Sequence, residues 1–122
     1  MAGRLVHFEI PAEDTARAQE FYEQLFGWSF QTWDGPVEYR MTQAGGDPGG
    51  AIYKSEGRSP GPIVYFDTDD IDAQVARVRE LGGRAEDKMP IPGVGWMAAC
   101  HDTEGNEVRL FQSDESAPHP EG

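Results

Sequence analysis

The feature that most constrains the fold is an internal repeat. At one constant offset of 56 residues, Phe8 falls on Val64, Ile10 on Phe66, Asp14 on Asp70, Leu25 on Leu81 and Gly27 on Gly83, with no gap. Carried to the end of each copy, the same offset places Ile52 on Val108 and Tyr53 on Arg109. Matching caps and matching apolar faces imply one supersecondary unit used twice, because a single copy cannot bury both faces of its own sheet. A chain of 122 residues then has room for one compact domain made of two modules.

The contents of each copy follow from periodicity. Val6, Phe8 and Ile10 alternate with His7 and Glu9, the period-two pattern of a strand with one face on a core. Asp14 is placed as an N-cap before Ala18, Phe21, Tyr22 and Leu25 at helical spacing, and Gly27 supplies the stop. Strands are expected over 28–32, 37–42 (across an Asp34-Gly35 turn) and 51–54, giving a βαβββ module over 5–54. A polar link containing Pro and Gly occupies 55–61. The pattern then restarts over 62–112: a strand at 63–68, Asp70 as N-cap, Ile71, Val75 and Val78 at helical spacing, and Leu81 before a Gly82-Gly83 stop. Strands at 84–88, 96–101 and 108–112 complete it, with a turn over 102–106. The expected fold class is α+β, with two pseudo-symmetric βαβββ modules forming a curved eight-strand sheet around a cleft and helices outside. The acidic, proline-containing tail over 113–122 is expected to be disordered.

Charge and cysteine content narrow the partners. A net charge of −12 and a pI near 4.4 argue against nucleic acid and anionic membrane, since binding either relies on Lys and Arg neutralising phosphates. A single Cys excludes a disulfide framework or a Cys-rich zinc site within one chain and fits a reducing compartment. No apolar run approaches the ~20 residues that span a bilayer, and the first ten residues carry no signal-peptide core, so a cytoplasmic location is expected. Arg outnumbers Lys by 8 to 2, a skew that reflects GC-rich coding more than chemistry. The acidity fits either a salty cytoplasm or a surface that resists association.

With helices on the outer faces, the residues opposite the core positions line the cleft. Alternation nominates His7 and Glu9, then Ile63 and Tyr65, Met97 and Ala99, and Arg109 and Phe111, with Tyr53 and Tyr39 from the first module. This lining suits a small organic ligand with a planar or apolar body and one anionic group. His7 and Glu9 are the candidate catalytic pair, because an imidazole exchanges protons near neutral pH. Tyr39, Tyr53, Ile63, Tyr65, Met97, Arg109 and Phe111 are the candidate ligand contacts. Trp96 joins them because it follows the Pro90–Gly95 loop, which reads either as an entrance flap or as a plain connector. Two readings of Arg109 stand open: its planar fork grips a carboxylate or phosphate of the ligand, or it pairs with Glu9. His7 likewise reads as a proton carrier or as a residue hydrogen-bonded to Tyr53 or Tyr65. Cys100 reads as a small core residue on the helix side, His101 as a strand end, and His119 as part of the tail.

The stretches V6-H-F-E-I-P-A-E-D14, F21-Y-E-Q-L-F-G27, D70-I-D-A-Q-V-A-R-V-R-E-L-G-G83, I91-P-G-V-G-W-M97 and D102-T-E-G-N-E-V-R-L-F111 resemble the vicinal oxygen chelate superfamily of glyoxalase I, fosfomycin and bleomycin resistance proteins and extradiol dioxygenases. The resemblance covers about 5–112 and is nearest to small bacterial glyoxalase-like proteins related to lactoylglutathione lyase. In metal-using members, it implies, His and Glu from the first and last strands of each module hold the ion. Those places map to His7, Tyr53, Ile63 and Arg109, of which only His7 is a good ligand, so no metal or other cofactor is expected. The resemblance also implies homodimerisation. It leaves two functions open: metal-independent isomerase or lyase chemistry on a small oxygenated metabolite, and ligand sequestration without turnover, as in the bleomycin-resistance branch.

Overall fold

The computed structural model describes residues 3–33, 37–43, 46–55 and 61–118. The expected Asp34-Gly35 turn, most of the 55–61 link and His119 lie outside the described residues. The chain divides into two compact units, one over Val6–Ile63 and the other from Val64 onward together with the N-terminal segment up to Leu5. The first is a βαβββ module and the second repeats it with one added short strand, so the fold is α+β as the repeat implies.

The first module contains β1 (Leu5–Ala12), α1 (Thr15–Phe26), β2 (Phe30–Thr32), β3 (Tyr39–Thr42) and β4 (Gly50–Lys54), in sheet order β2-β3-β4-β1. β1 pairs parallel with β4, while β2, β3 and β4 are antiparallel neighbours. Asp14 caps α1 by accepting from the Arg17 N–H at 3.0 Å, and Gly27 ends it in the left-handed region at φ 75°, where a side chain would be strained. The inward stripe of α1 differs from the one read from its apolar residues. Thr15 is 1% exposed and Ala18, Gln19 and Tyr22 are half-buried, whereas Phe21, Leu25 and Phe26 stand 56–59% exposed. Polar contacts turn the helix this way: Arg40 on β3 donates from Nε to Thr15 Oγ1 at 2.9 Å and from Nη1 to Gln19 Oε1 at 2.8 Å, and Thr15 also donates to Glu38. Beyond them Trp28 stacks on Tyr22 with ring centroids 5.5 Å apart and meets Phe8 and Phe26.

The second module contains β5 (Ile63–Asp67), α2 (Ile71–Glu80), β6 (Arg84–Ala85), β7 (Met89–Ile91), β8 (Gly95–His101) and β9 (Glu107–Ser113). Its order, β5-β9-β8-β6, reproduces that of the first module, with a parallel β5/β9 pair and antiparallel β9/β8 and β8/β6 pairs. Asp70 caps α2 as Asp14 caps α1, accepting from the Ala73 N–H at 3.1 Å. Ile71, Val75, Ala98, Cys100 and Leu110 form its buried cluster, as their spacing predicts; each large aliphatic there contributes on the order of 1.5–3 kcal/mol. Leu81 does not join them and is 61% exposed, because α2 ends one residue before it.

Three expectations are corrected in this module. β7 pairs with β8 through Met89/Met97, Pro90/Trp96 and Ile91/Gly95, so half of the Pro90–Gly95 segment, read as a loop, is strand; Pro90 is tolerated because β7 lies off the main path of the sheet. The tail is ordered through 118: the Asp114 N–H donates to Val94 O at 2.9 Å, the Gly93 N–H donates to Ala117 O at 3.1 Å, and Ala117 is 6% exposed. The repeat offset also changes along the chain. β1 and β5 keep 56, but Phe8 pairs with Gly50 while Val64 pairs with Val108, so the last strands are related by 58 and Arg109 corresponds to Ala51, not to Tyr53. The slip is an even number, and every residue therefore keeps its expected face.

Candidate functional site

The face of the first module opposite α1 carries the proton-active residues. On β1, His7 and Glu9 point away from the Phe8 and Ile10 side, and across the register Glu9 meets Ala51, Pro11 meets Tyr53, and Tyr53 meets Tyr39. Tyr39 is two strands from Glu9, with β4 between them. The β4 residue opposite Glu9 is alanine, whose single methyl lets a long phenol side chain cross the strand. The Tyr39 hydroxyl donates to Glu9 Oε2 at 2.7 Å and lies 2.6 Å from His7 Nε2. A phenol has one proton. With that proton on the Glu9 side, the tautomer that completes the contact is the one carrying Nε2–H, and Nδ1 is then the basic nitrogen of the neutral ring. The two rings are stacked at 22° with centroids 6.3 Å apart, and Trp33 packs edge-on against Tyr39.

Burial sets the protonation state. Glu9 is only 7% exposed, and desolvation holds the His7 imidazole below its ordinary value of 6.5, while the negative charge of Glu9 works in the opposite direction. Burial therefore favours the neutral ring, with the Glu9 carboxylate one phenol away.

The corresponding face of the second module carries Tyr65, Met97, Ala99, Arg109 and Phe111, as alternation predicts. Arg109 donates from Nε and Nη2 to Glu107 Oε2 at 3.1 and 3.0 Å, and from Nη1 to the Tyr65 hydroxyl at 2.8 Å. Its guanidinium carbon also lies 5.6 Å from the Tyr65 ring centroid. Glu107 on the same strand is thus an ion-pair partner of Arg109. Glu107 is the residue sequence reasoning missed. The expected strand began at Val108, and one residue more would have placed Glu107 on the Arg109 face.

Among the other expected contacts, Tyr53 is half-buried beside Tyr39, and Ile63 is 2% exposed. Trp96 lies elsewhere. It packs against the α2-side cluster, donates from Nε1 to Asp114 Oδ2 at 3.1 Å, and carries Lys88 Nζ 4.4 Å above its ring, so it fastens the tail and does not flank this face. Cys100 sits in that cluster at 1% exposure, and burial pushes its thiol above the ordinary range. A groove of about 410 Å³ beside α1, lined by residues including Ile10, Asp14, Arg17 and Phe21, contains neither His7 nor Glu9.

The donor set does not fit a divalent ion. His7 and Glu9 are bridged by the Tyr39 hydroxyl, Glu107 is engaged by Arg109, and no group of three or more His, Cys, Asp or Glu side chains comes together among the described residues.

Two βαβββ modules, each with its first strand parallel to its last, make up the vicinal oxygen chelate fold. Solved structures agree: a Streptomyces coelicolor methylmalonyl-CoA epimerase variant in complex with 2-nitronate-propionyl-CoA superposes with a TM-score of 0.69 at 23% identity, over 93% of this chain and 99% of that one. The family model described as "Bleomycin resistance protein-like N-terminal" matches residues 4–45. A glyoxylase-like domain-containing protein of Didymella fabae is 34% identical over 115 residues, 85% of this chain and 89% of its own. The putative glyoxylase CFP32 of Mycobacterium tuberculosis is 32% identical over 119 residues, 87% of this chain, which spans only 44% of that relative's length. The chain belongs to the glyoxalase-like family. No helix among the described residues is long and apolar enough to cross a membrane.

Proposed function

We propose that this protein binds a small oxygenated metabolite and moves a proton on it without a metal, with His7 as the general acid and base. The observation that carries this reading is the His7–Tyr39–Glu9 chain, at 2.6 and 2.7 Å. Nδ1 of neutral His7 takes a proton from an acidic carbon next to a carbonyl. The ring becomes imidazolium, its Nε2–H remains on the Tyr39 oxygen, and the Glu9 carboxylate lowers the cost of that charge. Return of the proton to a neighbouring atom gives isomerisation, and loss of a leaving group gives lyase chemistry. Tyr39 and Glu9 act as positioning residues, fixing the tautomer and orientation of the imidazole.

The test is solvent-deuterium incorporation, in the presence of a chelator, into adducts of 2-oxoaldehydes with small thiols. Exchange that falls about 10²–10⁴-fold in His7→Ala supports the proposal. Exchange unaffected by His7→Ala overturns it. A second reading, sequestration without turnover, draws on the match to the bleomycin-resistance-like model over 4–45. Stoichiometric binding with the ligand recovered unchanged is its signature.

A further inference from the structure

We propose that the exposed apolar side of α1 is a docking surface for a second copy of this chain, the two α1 helices packing antiparallel on a two-fold axis near Phe21. Phe21 and Leu25, one turn apart, stand 59% and 56% exposed, and Phe26 at the end of the helix stands 57% exposed. They are left outside because Arg40 holds Thr15 and Gln19 inward. The groove of about 410 Å³ beside the N-terminal half of α1 lies on the same side: Phe21 lines it with Ile10, Ala18 and Tyr22, and Leu25 continues the row at i+4 from Phe21. The 12-residue helix thus carries an apolar groove at one end and protruding apolar side chains at the other. Reversing one helix on another seats Leu25 and Phe26 of each copy against the groove of its partner, the self-complementarity that a two-fold interface requires.

Area and charge fit the same occupant. Each of the two Phe side chains leaves about 100 Å² open, and with Leu25 the three offer roughly 300 Å², the size at which an apolar patch marks an interaction site. A specific dimer needs about 500 Å² from each copy, of which these three supply more than half, with the groove walls beside them to supply the rest. The charged groups lining the groove are Glu13, Asp14 and Arg17, two acids against one base, and Glu20 and Glu23 fall outside the Phe21–Leu25 row by helical spacing. The contact is therefore close to neutral, while the −12 of each whole chain repels a second copy from a distance. Salt screens that repulsion and should tighten the pair, the reverse of its effect on a basic partner.

Sedimentation equilibrium of the full chain in about 0.1 M and about 1 M NaCl measures the pairing. A reversible species of twice the 13.5 kDa chain mass is expected, tighter at the higher salt. Leu25→Glu should weaken it on the order of a hundredfold, since each dimer loses the contact twice. Leu81→Glu places the same charge on a leucine 61% exposed beyond α2 and should change it less than about twofold. Nitroxide labels on Gln24→Cys, with Cys100 shielded at 1% exposure, give a second readout that leaves the apolar side chains intact, with an expected separation below about 25 Å. A chain that stays monomeric at every concentration and salt, leaving the face to a different partner, overturns the proposal. So does a dimer indifferent to Leu25→Glu, one that loosens as salt rises, or labels far beyond that separation in a demonstrated dimer.

Discussion

Tyr39→Phe keeps the ring that stacks on His7 and packs on Trp33, and deletes only the oxygen between His7 and Glu9. Two hydrogen bonds go with it. The one to the Glu9 carboxylate, 2.7 Å long at a residue 7% exposed, is of the kind that contributes about 1.5–3 kcal/mol, and the one from His7 adds about 1 kcal/mol. The expected loss is roughly 3 kcal/mol, a large share of the ~5–15 kcal/mol that holds a domain of this size folded, with a fall in Tm of about 10 °C. Urea titration of both proteins measures it, as a lower midpoint at unchanged slope. Adding Glu9→Ala to make a double-mutant cycle isolates the pair, with an expected coupling of about 1 kcal/mol or more. A loss below about 0.5 kcal/mol, or a coupling indistinguishable from zero, would refute the bridging role of the phenol.

Three further outcomes follow from the same residues. Because His7 is held below 6.5 in the folded chain, the unfolded chain takes up its proton first; stability from this group is full above pH 6.5 and declines as pH falls from there toward the lower folded value, and the decline should be shallower in His7→Gln. Gly50→Ala would place a Cβ 2.5 Å from the Phe8 ring, displacing it from β4 and costing about 1–3 kcal/mol by urea titration, whereas a cost near zero would show that the ring moves freely. Light scattering at micromolar concentration should give twice the 13.5 kDa chain mass if the homodimer implied by the family resemblance forms.

The faces of both sheets were legible because alternation survives error. The slip of the repeat from 56 to 58 moved Arg109 from opposite Tyr53's place to opposite Ala51's, yet an even shift leaves every side chain on the side assigned to it. Pairing was not legible. That Tyr39 reaches Glu9 depends on β4 lying between them with an alanine at the crossing, a matter of register and side-chain size that no local pattern states. Helix α1 misled for a different reason: its apolar residues predict one stripe, but Thr15 and Gln19, anchored by Arg40, turned a neighbouring stripe inward and left Phe21 and Leu25 outside. Glu107 was lost at a strand boundary, where sequence reasoning is weakest, and with it the ion pair at Arg109.

The proton-transfer role stands or falls on the state of one ring, which ¹⁵N NMR of His7 in the chelator-treated protein reads directly. The tyrosine-bridged arrangement requires a neutral imidazole at pH 7 protonated on Nε2, with Nδ1 showing the shift of an unprotonated nitrogen and a titration midpoint below 6.5. A ring protonated on Nδ1, or one that remains imidazolium above pH 7, would contradict it.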